Sequence, residues 1–247
     1  MENRVKKLLR YFSITEWTLW MSSVALIAVS FAVFDRENYL TLYASLIGAT
    51  SLIFNAKGNP IGQALTIIFS ILYGIISYTF AYYGEMITYL GMTMPMAIFA
   101  LISWLRNPYK GNRAQVKVNS LKAKEILLML AGAALITLAF YFILEACGTA
   151  NMIPSTISVT TSFIAVYLTF RRSPLYALGY AANDIVLIVL WTLAAIEDMT
   201  YLSVMICFAM FLGNDIYGFV NWRKMRKKQT TDATGPVTER TTDTPED

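Results

Sequence analysis

Long apolar runs alternate with short polar breaks along most of this chain. Eight runs, residues 15–34, 39–56, 61–83, 86–105, 125–144, 154–170, 174–195 and 199–222, approach or reach the roughly 20 residues that carry a helix across about 30 Å of hydrocarbon. The pattern predicts an all-α polytopic membrane protein with eight transmembrane helices. Breaks such as Asp35-Arg36-Glu37, Gly84-Glu85 and Glu197-Asp198-Met199 are too short for an external domain, so function is expected inside the helices.

Polar positions within the runs fall at helical spacing. On the seventh helix Tyr176, Tyr180, Asp184 and Trp191 share one face with Asn183 beside them, and on the third Gln63, Thr66, Ser70, Tyr73 and Ser77 do the same. The eighth carries Ser203, Cys207, Met210, Asn214, Tyr217 and Asn221, with Asp215 one position off that line. The fourth carries Tyr89, Thr93 and Met96, and Pro95 is expected to bend it. A single Ser, Thr or Asn in such a stripe commonly just bonds a neighbouring helix. Asp184 is different: an ionised Asp near the midplane costs about 2.5–3.5 kcal/mol even on insertion scales, which points to use by a ligand. With Trp191 to stack on a flat ring and a carboxylate to compensate positive charge, the face suits a cationic aromatic solute; a protonated Asp184 donating a hydrogen bond is equally allowed. The candidate solute-binding residues are therefore Gln63, Thr66, Ser70, Tyr73, Tyr180, Asn183, Asp184, Trp191, Asn214 and Tyr217.

The stripes correspond along the chain. Asn59-Pro60 opens the third helix and Ser173-Pro174 the seventh, 114 residues apart, and the same offset pairs Thr66 with Tyr180, Ser70 with Asp184 and Ser77 with Trp191. Ser103-Trp104-Leu105-Arg106 and Asn221-Trp222-Arg223 close the two halves, the second about four residues later than the offset. Three helices repeated after one linking helix keep their orientation, making a parallel repeat about the membrane normal. The expected organisation is an N-terminal segment with an extra helix (1–38), a first repeat (39–105), a basic loop and linker helix (106–153), a second repeat (154–222) and a disordered tail (223–247).

Charge orients this arrangement. Hydrophobic residues make up 56% of the 247 and charged ones only 15%. With both termini in the cytoplasm, every Lys and Arg except Arg36 falls on the inner side, as the positive-inside rule requires. The net charge of +4 is then explained by inner-face residues beside anionic lipid, and no nucleic-acid partner is expected. The basic start, MENRVKKLLRYFSITEW, resembles a signal peptide, but the apolar run after it is too long and lacks a cleavage site, so it reads as a retained helix. The chain has no His and no GxxxxGK[ST] loop; Cys147 and Cys207 lie at different depths and read as free thiols. No metal, no cofactor and no catalytic residue are expected. The tail from Lys228, rich in Thr and polar residues, is expected to be disordered.

Over about residues 39–226 the chain resembles the nicotinamide riboside transporter family, the Pnu transporters. The resemblance lies in the three-plus-one-plus-three helix plan, in Ala181-Ala182-Asn183, and in the ending Asp215-Ile216-Tyr217-Gly218-Phe219-Val220-Asn221-Trp222, which is similar to the family's Asn-x-Tyr-Gly-x-x-x-Trp closure with Asp in the first place. It implies uptake of a vitamin-like nucleoside by facilitated diffusion, trapping by a cytoplasmic kinase, and a homotrimer in the bacterial inner membrane. The family's nicotinamide riboside members carry several Trp on the helix equivalent to the seventh, where this chain has only Trp191, so thiamine or a deoxynucleoside is an alternative solute. Two intramembrane Asp residues also raise an aspartyl protease, whose motifs differ from Gly213-Asn214-Asp215 and Ala182-Asn183-Asp184, and an ion channel built on a ring of charge.

Overall fold

In the computed structural model, residues 11–79 and 82–234 are described. They form eight long apolar helices: α1 Ile14–Phe34, α2 Tyr39–Ala56, α3 Pro60–Thr79, α4 Tyr83–Arg106, α5 Ala123–Ala146, α6 Met152–Phe170, α7 Tyr176–Glu197 and α8 Leu202–Thr234. Each is long and apolar enough to span a membrane, and the expected spans agree with these bounds to within a few residues at most ends. Helix α4 changes pitch rather than breaking. Pro95 has no N–H to offer the preceding turn, and residues Tyr89–Thr93 form a π-helical turn closed by Met94 N–H donating to Tyr89 O.

Six helices close a ring in the order α2, α3, α4, α6, α7, α8 and back to α2. The other two lie outside, α1 against α2 and α8, and α5 against α6. Composition follows the division: α5 is almost wholly apolar and α1 turns little more than Glu16, Ser23 and Ser30 inward, and they are the least buried spans, at 11% and 17%, whereas α2, α3, α6 and α7 carry Gly, Ser, Thr and Asn inward and are 44–50% buried. Gly62 shows how closely the ring packs, because a Cβ there would run into the side chain of Asn55.

At the basic end the chain turns twice in the same way. After α2, Gly58 N–H donates to Asn55 O (2.9 Å) and Asn59 N–H to Phe54 O (3.0 Å); after α6, Arg172 N–H donates to Thr169 O and Ser173 N–H to Leu168 O, both 2.9 Å. Both are Schellman caps with a left-handed residue, Gly58 at φ 67° and Arg172 at φ 56°. Asn59 Oδ1 and Ser173 Oγ then accept from the N–H groups of Ile61 and Leu175 as the next helices begin. The outer helices attach to these turns by ion pairs: Glu16 of α1 with Lys57 (2.9 Å), and Glu125 of α5 with Arg171.

The basic end departs from the sequence expectation in its loop and in its tail. The basic loop after α4 contains a hairpin, β1 Pro108–Tyr109 and β2 Asn112–Val116, turned at Lys110 and Gly111 with both φ positive, as a two-residue hairpin turn demands. It joins both Schellman turns, since Val116 N–H donates to Gly58 O (2.9 Å) and Asn119 N–H to Arg172 O (3.0 Å). The tail is not disordered from Lys228: α8 runs on to Thr234 because the hairpin grips it. Gln229 accepts from Val118 N–H (2.9 Å) and donates to Val116 O (3.1 Å), and Tyr109 OH donates to Asp232 (2.7 Å). The rest of the expected tail, and residues 1–10 of the basic start, lie outside the described residues.

Candidate functional site

The ring encloses a cavity at its middle. Asn55 and Ser51 of α2, Thr66 and Phe69 of α3, and Tyr89 and Thr93 of the π-turn of α4 line one side. Tyr180, Asn183 and Asp184 of α7, with Phe208, Phe211 and Asp215 of α8, line the other. Its volume is about 40 Å³, room for a few water molecules.

Most polar groups around it are fixed by hydrogen bonds. Asn183 Oδ1 accepts from Thr161 (2.8 Å) and Ser162 (3.0 Å) of α6, which leaves the amide NH2 for the cavity. Gln63 Nε2 donates to Asn55 Oδ1 (2.8 Å), and Asn55 Nδ2 to Thr66 Oγ1 (3.2 Å). Asp184 and Asp215 are each 3% exposed and line the same cavity. Asp184 Oδ2 has no partner, an expensive condition for a buried oxygen unless something else occupies the cavity.

Aromatic layers close the cavity at both ends. Toward the basic end, Trp104, Trp222 and Tyr176 pack with ring centroids 4.8 to 6.5 Å apart. The two indoles also cross between halves: Trp104 Nε1 donates to Thr169 O (2.9 Å) and Trp222 Nε1 to Asn55 O (2.8 Å). Beside them Ser103 Oγ donates to Phe170 O (3.0 Å) and Asn221 Nδ2 to Ala56 O (2.8 Å). Toward the far end, Tyr73 lies 4.3 Å from Tyr89 and 5.6 Å from Phe69, and its hydroxyl accepts from Trp191 Nε1 (2.7 Å). Tyr82 and Tyr201 cover Trp191 from above, at 4.8 and 5.8 Å.

Of the ten candidate residues, Thr66, Tyr180, Asn183 and Asp184 meet in the cavity wall. Gln63 stands behind Asn55, and Ser70 is spent on Thr66 O of its own helix (2.8 Å). Tyr73 and Trp191 belong to the far aromatic layer. Asn214 and Tyr217 turn the other way, toward α1: Asn214 Nδ2 donates to Ser23 Oγ (2.9 Å) and Tyr217 OH to Glu16 (3.0 Å). Ser51, Asn55, Phe69, Phe208 and Phe211 were not among the candidates. Ser51 and Asn55, four apart on α2, form a polar stripe short enough to pass for helix packing; the three Phe carry no polar signal.

Comparison with known proteins agrees with this architecture. The sequence matches the family described as nicotinamide mononucleotide transporter over residues 38–224. It is 28% identical over 221 residues to the nicotinamide riboside transporter PnuC of Neisseria mucosa, covering 86% of this chain and 84% of that protein. The corresponding protein of Haemophilus influenzae is 22% identical over 214 residues, covering 85% of this chain and 90% of the relative. The structure superposes on a crystal structure of the vitamin B3 transporter PnuC with a TM-score of 0.78 and 26% identity, over 88% of this chain and 94% of the other.

Proposed function

We propose, because the chain belongs to the nicotinamide mononucleotide transporter family, that it carries nicotinamide riboside across the membrane through the central cavity, by facilitated diffusion. The observation that carries the reading is the buried carboxyl pair beside the free amide of Asn183 and the ring of Tyr180, with no Lys or Arg in the cavity wall. Nicotinamide riboside offers complementary chemistry: a flat cationic ring for the carboxylate and aromatic faces, an amide and hydroxyls for Asn183, Asn55 and Thr66. We assign Thr66, Tyr180, Asn183 and Asp184 to direct contact with the solute, Gln63 and Ser70 to the support behind them, Tyr73 and Trp191 to the outer closure, and Asn214 and Tyr217 to the seat of α1. An aspartyl protease would need a groove for an extended peptide, and this carboxyl pair lies in an enclosed cavity.

A nucleoside needs several times the present 40 Å³, so loading requires one aromatic layer to part while the other stays shut. We assign that movement to rocking of two repeats, 39–105 and 154–222, with the basic end in the cytoplasm of a bacterium and the chain assembled as a homotrimer in the inner membrane. The test is uptake of labelled nicotinamide riboside into liposomes holding the purified protein, in competition with thiamine, thymidine and nicotinamide. Saturable uptake blocked best by unlabelled nicotinamide riboside supports the reading; stronger competition by thiamine or thymidine moves the assignment to that solute.

A further inference from the structure

We infer that a phospholipid with an anionic headgroup binds between α1 and α2 at the basic end, with one acyl chain lodged in an aromatic groove, and that it fastens α1 to the ring. The groove measures about 220 Å³, more than five times the central cavity, and lies outside the ring. Phe12, Trp17 and Trp20 form one wall, and Thr50, Ile53 and Phe54 of α2 form the other. Of these six only Ile53 is fully buried, so the groove is open to what surrounds the helix pair. Because α1 is a membrane span packed on the outside of the ring, what surrounds it is lipid.

The polar groups of the walls are already bonded within the protein. Trp20 Nε1 donates to Thr50 Oγ1 (3.1 Å), and the Thr50 hydroxyl donates to Leu46 O (2.7 Å). Glu16 also borders the groove, but its carboxylate accepts from Lys57 Nζ (2.9 Å), Tyr217 OH (3.0 Å) and Ser13 N–H (2.7 Å). The rings meet edge to face, Phe12 against Trp17 and Phe54, and Trp17 against Trp20, with centroids 5.3 to 5.7 Å apart. A nucleoside entering this groove would shed water without gaining replacement hydrogen bonds, whereas an alkyl chain has none to lose.

Depth and charge name the occupant. Trp17 and Trp20 lie in the first two turns of α1, and the Glu16–Lys57 pair ties those turns to the end of α2, the level at which Trp gathers between acyl chains and headgroups. Lys57 Nζ stands 5.6 Å from the ring centroid of Phe12, a cation beside the groove, and its charge is matched by Glu16. The same end of the molecule adds Arg106, Arg171, Arg172, Arg223 and Lys224, an excess of positive charge that favours an anionic headgroup. A neighbouring helix is a poor occupant, since helices in lipid meet through small side chains that let their backbones approach, and these walls are built from the largest. A lodged chain joins α1 to α2 on both walls at once, which matters for a helix that buries so little of itself against the ring.

The experiment titrates the full-length protein in detergent micelles with phosphatidylglycerol carrying bromine on its acyl chains, which quenches indole fluorescence at short range. The chain has five Trp, and Trp104, Trp191 and Trp222 are at most 1% exposed. Quenching should saturate at a single lipid per chain and remove about two fifths of the emission, the share of Trp17 and Trp20 among the five. Replacing both by Phe, which keeps the walls aromatic, should abolish the saturable part. Thr50→Leu, which fills the groove, should raise the lipid concentration for half-quenching about tenfold. Phosphatidylcholine with the same brominated chains should also need about tenfold more. Quenching that climbs without saturation, survives in the double Phe variant or ignores Thr50→Leu overturns the site, and equal titration by the two lipids overturns the anionic headgroup. The two lipid titrations of the parent decide the matter even if a variant fails to fold.

Discussion

Helices α3 and α7 face each other across the cavity, and each is entered through a Schellman turn followed by Pro60 or, two residues before α7, Pro174. At their midpoints they part company. Ser70 closes its hydroxyl onto its own backbone at Thr66, whereas Asp184, 114 residues on, leaves an oxygen unpartnered in the cavity. Nearer the basic end the contacts are reciprocal: the first half's Trp104 and Ser103 bond Thr169 and Phe170, and the second half's Trp222 and Asn221 bond Asn55 and Ala56. Thr169 and Phe170 lie 114 residues beyond Asn55 and Ala56, so each half ends by capping the other's corresponding helix. The outer helices share the correspondence, since Glu16 and Glu125 are both third residues of their helices and pair with Lys57 and Arg171. Where the halves match, the contacts hold the ring; where they differ, the cavity acquires charge and shape.

The largest effects are expected at the reciprocal indoles. Trp104→Ala and Trp222→Ala each remove a fully buried ring, and each should cost about 3–5 kcal/mol in thermal or denaturant unfolding in detergent. Similar losses support equivalent roles, and one harmless substitution would show that the halves are not joined alike. At the midpoint the two helices should diverge. Asp184→Asn should weaken equilibrium binding of nicotinamide riboside by at least about tenfold, or about 1.4 kcal/mol, while Ser70→Ala should change it by less than about twofold. Comparable effects at both positions would place solute contact on α3 as much as on α7.

Smaller effects sharpen the picture. Gln229→Ala should destabilise the protein by about 1 kcal/mol through loss of two hydrogen bonds to the hairpin, and should release α8 beyond Trp222 to amide hydrogen exchange. Unaltered exchange there would mean that the hairpin does not hold the extension. Arg171→Ala, which breaks a partly exposed ion pair of α5, should cost about 1 kcal/mol or less, whereas Lys57→Ala, which leaves the buried Glu16 carboxylate without its cation, should cost about 3 kcal/mol. Equal losses at the two positions would show that burial of Glu16 does not distinguish the attachment of α1 from that of α5.

Spans and the polar face of α7 were legible because a helix in lipid reveals both its length and its inward side through hydropathy alone. The faces of α8 were not. That helix meets the cavity through Phe208, Phe211 and Asp215 and α1 through Asn214 and Tyr217, so its most regular polar stripe marks a helix interface and its one polar cavity residue looks misplaced. Trp191 shares the face of Asp184, but seven residues place it about 10 Å further along the axis, in the closing layer. Periodicity reports direction around a helix and says little about depth. The hairpin escaped because its strands are short, polar and exposed, and because the hydrogen bonds that give it meaning run to Gly58, Arg172 and Gln229, distant in sequence.

That hairpin also sets an order of construction. Its partners are made on both sides of it in time: Gly58 before it leaves the ribosome, Arg172 well after, and Gln229 and Asp232 later still. During insertion the first half must therefore wait, its turn at Gly58 able to receive Val116 but its Trp104 still lacking Thr169. The knot at the basic end can be tied only when the last helix has been threaded and its extension emerges. A nascent chain cut short after Trp222 would possess every membrane span and still lack the fastening that tells a finished transporter from an unfinished one.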